Sequence, residues 1–147
     1  MFSTNPKRIF DLLESPITGR WLIEASAGTG KTYSLEHIVL RLLIEQNIPV
    51  ERMLLVTFTH AATAELSQRV RNLIMHTAET LERGQAPDDA LLAKLVERWE
   101  TSIGQDVMTE RLRNALEMFD DVSILTIHSF CQKMLKSFVF TLSLIHI

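Results

Sequence analysis

Trp21-Leu-Ile-Glu-Ala-Ser-Ala-Gly-Thr-Gly-Lys-Thr-Tyr33 decides how the rest of this 147-residue chain is read. The apolar run Trp21–Ala25 has strand length, and a loop carrying Gly28, Gly30, Lys31 and Thr32 joins it to a helix. Strand, glycine-rich loop and helix in that order form a phosphate cradle, a P-loop. Glycines let backbone N–H groups turn onto phosphate oxygens, and the helix N-terminus adds the positive end of its dipole. The cradle residues are Ala25, Ser26, Ala27, Gly28, Thr29, Gly30, Lys31, Thr32 and Tyr33. Lys31 is spaced to reach the β- and γ-phosphates of ATP, and the Thr32 hydroxyl to hold Mg²⁺ through the nucleotide, so these two are the expected catalytic residues. The pattern G-x-x-x-x-G-K-[ST] is met except at its first place, where Ala25 replaces glycine. A small residue there still permits the turn.

The flanking sequence supports this reading over a chance glycine-rich turn. After the loop, Leu35, Ile38, Val39, Leu42 and Leu43 repeat at the spacing of one helix face, and the helix is predicted from about Gly30 to Gln46, ended by Asn47 and Pro49. Met53–Phe58 is a continuous apolar run of strand length, the pattern of a strand covered on both faces, which predicts a parallel sheet. A long helix from Ala61 to about Arg83 stops at Gly84–Pro87. Asp88 or Asp89 then caps a helix striped by Leu91, Leu92, Leu95, Val96 and Trp99. Another follows from about Asp106, bearing Met108, Leu112, Ala115, Leu116 and Phe119. Val122–Ile127 reads as a third strand, and Ser129 opens a last helix. Right-handed crossovers make this order an open parallel α/β sheet with helices on both faces. Ligands of such sheets collect at the carboxyl ends of the strands, where the P-loop, Thr57–His60 and Ile127–Ser129 fall. The expected organisation is a lead-in over 1–20, followed by a nucleotide-binding domain over 21–147 with a helical insertion at about 84–120.

Composition sets weaker bounds. Hydrophobic residues make up 46% and charged residues 22%, ordinary for a globular domain. A net charge of −3 makes no global case for nucleic acid, so any such contact must be local. Cys131 is the only cysteine, which rules out an intrachain disulfide and fits a cytoplasmic setting. The first residues lack the apolar core of a secretory signal, and no apolar run reaches the ~20 residues that span a bilayer. The histidines show no zinc spacing, so no structural metal is expected.

Three motifs stand in order: Ala25–Thr32, Leu54-Leu-Val-Thr-Phe-Thr-His-Ala-Ala-Thr-Ala-Glu-Leu66, and Leu125-Thr-Ile-His-Ser-Phe-Cys-Gln-Lys-Met-Leu135. Together they resemble motifs I, Ia and Ib of the UvrD-type superfamily 1 DNA helicases, and within them the RecB-like helicase–exonuclease branch. The resemblance covers roughly Phe10 to Phe140. It implies an incomplete RecA-like motor domain, called 1A, from the front of a longer protein that uses ATP and Mg²⁺ to move along single-stranded DNA in double-strand break repair and recombination. By the family's pattern Phe58, Thr59, Thr126, His128 and Ser129 lie along the DNA strand. Its implied partners are single-stranded and duplex DNA and RecC-like and RecD-like subunits.

Read alone, Phe58 is an aromatic ending a buried strand; with the family motif around it, it is a stacking face for any base. Arg69 and Arg71 face either phosphate or solvent. Two departures stand out: Thr18 occupies the place of an adenine-reading glutamine, and Ser67 stands where many relatives carry arginine. Asp120-Asp121 precede a strand instead of ending one, so they do not form the acid pair that a complete motor needs. Two other readings fit the P-loop, a non-catalytic nucleotide- or DNA-binding module and a small P-loop kinase. The kinase leaves the Thr126–Cys131 run unexplained and lacks an arginine-rich lid.

Overall fold

The computed structural model describes residues 10–24 and 30–145. The Ala25–Thr29 part of the cradle therefore lies outside the described residues, as does any helix start at Asn5-Pro6.

Helix α1 spans Lys31–Glu45 and follows the predicted bounds closely. It ends where Asn47 takes a left-handed backbone (φ 51°) and the Ile48 N–H turns back to the Leu42 carbonyl. A single 3-10 turn at Val50–Arg52 leads to strand β1, Leu54–Thr57. Helix α2 covers His60–Glu82, α3 Ala90–Ser102 and α4 Gln105–Glu117. A second 3-10 turn, Phe119–Asp121, precedes strand β2, Ser123–Thr126, and helix α5 runs over Ile127–Ile145.

The core lies among the first four helices. Leu40 and Ile44 of α1, Val70 and Ile74 of α2, Leu92, Leu95 and Trp99 of α3, and Met108 and Leu112 of α4 are all essentially inaccessible. For α2, α3 and α4 these lie on the stripes the 3.6-residue period predicts; on α1 the buried face is turned from the expected one, with Leu40 and Ile44 inside and Leu35 38% exposed. Burying each such side chain is worth about 1.5–3 kcal/mol, so this cluster dominates the stability of the chain.

The strands pair in parallel, Leu54 with Ser123, Leu55 with Ile124, Val56 with Leu125 and Thr57 with Thr126. Leu55, Ile124 and Thr126 share the buried face. Leu54 and Val56 on the opposite face are 49% and 42% exposed, which corrects the expectation that this strand is covered on both sides. An apolar run implies two covered faces only where a second layer exists; among the described residues none covers this one.

The strand expected at Trp21–Ala25 is a second correction. Residues 21–24 are irregular, Leu22 is 84% exposed, and Ala25 lies outside the described residues. A strand forms only against a partner's backbone, and the described sheet contains β1 and β2 alone.

The segment before it is tied down. Asp11 accepts from the N–H groups of Leu13 and Glu14, closing a turn. The buried Arg41 donates to the carbonyls of Leu12 and Ser15, and Arg98 of α3 donates to that of Leu13. Glu45 accepts from Arg41, Arg98 and the Trp99 indole, so one carboxylate joins α1, α3 and, through the arginines, this turn. Trp99 is thus more than the packing residue its stripe suggests. Burial raises the Glu45 carboxyl, but the hydrogen bonds from Arg41, Trp99 and Arg98 outweigh it and hold the group below its usual range.

Candidate nucleotide and nucleic-acid site

Gly30 is the N-cap of α1 with φ 82° and ψ 25°, a left-handed conformation that glycine alone adopts without strain. It brings no capping side chain, and the first turn carries no acidic residue. The first intrahelical bond is Ser34 N–H to the Gly30 carbonyl, so the N–H groups of Lys31, Thr32 and Tyr33 have no acceptor within the helix. Lys31 is exposed and makes no hydrogen bond or ion pair among the described residues. Three N–H groups with no acceptor among the described residues, the positive dipole end and an ammonium with no partner among them fit an anion of several oxygens, as a nucleotide's phosphates present. Thr32 is half-buried on the same turn.

Tyr33 is engaged elsewhere. Its hydroxyl donates to Asp89 Oδ2 at 2.8 Å, and its ring lies 4.1 Å from that of His37. Burial and the Asp89 carboxylate push the phenol up to about 12. For Asp89, burial works toward a higher value, but the Leu92 N–H, the Tyr33 hydroxyl and His37 hold the carboxyl below its usual range. Asp89 is also the cap predicted from sequence, taking the Leu92 N–H on Oδ1 at 2.8 Å.

The second and third motifs meet through the sheet. Because Thr57 pairs with Thr126, the chain leaves both strands at neighbouring points on one edge. Phe58 stands there 88% exposed, with Ile127 at 44% and His128 exposed beside the other strand end. Thr59 caps α2, accepting from the Ala62 N–H. Thr126 does the same for α5, which therefore starts at Ile127 and not at Ser129: its hydroxyl accepts from the Ser129 N–H and donates to Ser129 Oγ. Thr126 is only 4% exposed, so its hydroxyl is used inside the turn. His128 accepts from the Gln132 side-chain amide, which leaves its Nδ1 to carry the proton.

The arginines read as facing phosphate or solvent are held within the chain. Arg69 pairs with Glu36 of α1 at 2.5 Å and with Glu65, while Arg71 reaches Asp120 and lies over the Phe119 ring. The Tyr33–Asp89 bond and the bonds from Arg98 and Trp99 to Glu45 join positions more than 50 apart and carry no local sequence signal; the Arg41–Glu45 pair, four positions apart on α1, is local. At Asp89 the local signal is an aspartate before an apolar stripe, which reveals the cap and not the second ligand of its carboxylate.

The UvrD/REP helicase N-terminal domain family matches residues 9–146. The chain belongs to that family. Its similarity is to RecB subunits of the RecBCD enzyme: 39% identity to that of Chlamydia pneumoniae over 142 residues, 96% of this chain and 13% of the relative. The Escherichia coli K12 subunit is 38% identical over 134 residues, 86% of this chain and 11% of the relative. The Mycobacterium tuberculosis H37Rv subunit is 40% identical over 116 residues, 79% of this chain and 10% of the relative. The chain thus spans between 10% and 13% of the length of these three relatives. No described helix is long and apolar enough to cross a membrane.

Proposed function

We propose that this chain is the ATP-binding part of a RecB-like, ATP-dependent DNA helicase–exonuclease subunit that translocates on single-stranded DNA in double-strand break repair and recombination. One observation carries the reading. The parallel register sets the two motif-bearing strand ends side by side, with Phe58 almost fully exposed between a β-strand and a capped helix. An apolar aromatic left in water at a strand end serves a stacking role, worth about 1–3 kcal/mol per base and indifferent to sequence. His128 and Ser129 beside it offer hydrogen bonds to phosphate oxygens, and Thr59 and Thr126 shape the two turns along the strand's path.

Bound ATP·Mg²⁺ would supply the phosphoryl chemistry that drives movement. The chain's own residues then divide the work: the first-turn N–H groups of α1 orient the phosphates, Lys31 stabilises charge on the β- and γ-phosphates, and the Thr32 hydroxyl ligates Mg²⁺. Within these 147 residues the Asp120-Asp121 pair sits in the turn before β2. The chain by itself is therefore expected to bind ATP·Mg²⁺ weakly and to hydrolyse none. The fuller arrangement is a RecA-like 1A domain over 21–147, with the α3–α4 region, about 84–120, as an insertion and 1–20 as a lead-in. RecC-like and RecD-like partners and a cytoplasmic location complete the proposal.

The test is ATP turnover by the full-length protein with and without single-stranded DNA, with Lys31→Ala as control. Stimulation by DNA that vanishes in the control supports the motor. Transfer to another acceptor, indifferent to DNA, makes it a kinase, and binding of nucleotide or DNA without turnover makes it a binding module.

A further inference from the structure

Among the described residues of the nucleotide-binding turn, the side chain committed to a distant helix is that of Tyr33. It is the third residue of α1, so its N–H is one of the three left without an intrahelical acceptor. Its hydroxyl reaches the Oδ2 atom of Asp89, while Oδ1 of the same carboxylate holds the Leu92 N–H and the Asp89 carbonyl accepts from the Ala93 N–H. A single residue thereby closes the first turn of α3 and grips the first turn of α1.

The phenol is also fixed from behind. His37, 2% exposed, lies against the Tyr33 ring, and its Nδ1 donates to the Tyr33 carbonyl at 2.8 Å. Because a carbonyl only accepts, Nδ1 carries a proton, and the buried Nε2 has no partner among the described residues. A buried imidazole left half-satisfied costs stability, and its ring holds the Tyr33 ring from the side away from solvent while the phenol reaches Asp89. Local packing alone does not call for this: Phe at position 33 would stack on His37 equally well, and Asp89 would still cap α3.

We infer that Tyr33 is a positioning residue which couples the phosphate-binding turn of α1 to the start of α3, so that nucleotide binding and the ordering of the α3–α4 pair favour one another. The inference rests on the nucleotide reading proposed above. Linkage makes the coupling reciprocal: whatever tightens the α1 turn through Tyr33 must tighten the cap of α3, and a loosened α3 start must weaken nucleotide binding by the same factor.

The experiment is amide hydrogen exchange at Leu92 and Ala93, with and without millimolar ATP·Mg²⁺, on the full-length protein and its Tyr33→Phe and Lys31→Ala variants. ATP affinity is measured in parallel by calorimetry. Wild type should slow its exchange at both amides when nucleotide binds. Tyr33→Phe should retain Lys31-dependent binding, weakened about fivefold, and lose the nucleotide-dependent part of the protection. A merely structural tyrosine would speed exchange equally with and without nucleotide and leave affinity unchanged, which overturns the coupling while the nucleotide site stands. Absence of Lys31-dependent binding in the wild type overturns the site itself, and the coupling with it.

Discussion

Helices α1 and α3 begin in opposite ways. Asp89 spends a carboxylate on the first turn of α3, satisfying a donor that would otherwise be orphaned. Gly30 opens α1 in a left-handed conformation with no side chain to offer and no acid in the turn that follows. A cap is worth about 1 kcal/mol, and it is withheld at one helix and supplied at the other. Helix α2 sits between the two cases: Thr59 caps it, yet Phe58, in the place from which an apolar residue usually staples onto the first turn, stands in solvent. Its would-be staple partner is Thr63, whose hydroxyl bonds to Thr57 and the Thr59 carbonyl. Helix α4 also opens at a glycine without a capping side chain, but Asp106 places an acid in its first turn, which α1 lacks.

The largest effect expected from this contrast is at Lys31. In the full-length protein Lys31→Ala should lower ATP turnover at least about 10²–10³-fold and abolish unwinding, because one preorganised charge on the transferring group is removed. The melting temperature should stay the same, since Lys31 has no partner among the described residues. Near-normal turnover by a folded variant would show that the open start of α1 is not a phosphate site.

The far end of the same helix sharpens the point. A carboxylate in the last turn of a helix opposes the helix dipole, yet Glu45 is held there by Arg41, Arg98 and Trp99. Glu45→Gln should cost about 2 kcal/mol at neutral pH, in the range for a hydrogen bond to a charged group, with nucleotide binding almost unchanged. The folded carboxyl is depressed below its usual 4.5. Its contribution is therefore present above about pH 4.5 and lost as pH falls through the lower folded value. Urea denaturation across that window should show a shallower acid loss in the variant than in the wild type; parallel curves would mean that Glu45 carries no such linkage.

At Phe58 the change is in binding alone. Phe58→Ala in the full-length protein should weaken single-stranded DNA by about 1–3 kcal/mol, for every sequence alike, and leave basal ATP affinity in place. A side chain 88% exposed has little packing to lose. If the variant unfolds, or loses nucleotide and DNA together, the aromatic belongs to the core.

Much of this was written in the sequence, and unevenly. The helices were legible to within a few residues because each has an apolar stripe at the 3.6-residue period and a local stop signal, as at Asn47 or Gly84. The cap at Asp89 was legible for the same reason, being chemistry within four positions. Sheet structure was legible in part: the strands expected at Met53–Phe58 and Val122–Ile127 form as Leu54–Thr57 and Ser123–Thr126 and pair in parallel, whereas residues 21–24 are irregular, because a strand also needs a neighbouring backbone. At the candidate site the motif gave the residue types, including Lys31 and Phe58. It did not give their commitments, since Tyr33 to Asp89 is a bond between positions 56 apart. Periodicity and motif spacing report local constraint, and long-range hydrogen bonds leave no trace in either.

The smallest effect tests the closed start directly. Asp89→Ala should destabilise the chain by about 1 kcal/mol, the usual value of an N-cap, and Asp89→Asn by only a few tenths, because asparagine caps as well as aspartate. The two substitutions part ways with pH. In the wild type the Asp89 carboxyl lies below its usual 3.8, so its stabilisation is complete above that value and falls away as pH drops through the folded one. Tyr33 acts at the other extreme: its phenol is raised from 10.0 to about 12, so its share is full below pH 10.0 and lost as pH climbs toward about 12. Asp89→Asn should keep the cap, drop the acid-side loss, and shrink the alkaline one, since the phenolate no longer faces a carboxylate. Thermal melts of the wild type and both variants from acid to strongly alkaline pH would read this out. An Asn variant as unstable as the Ala variant at neutral pH would mean that the charge, and with it the bond to Tyr33, outweighs the cap. The start of α3 would then be, like that of α1, built for something other than the helix it begins.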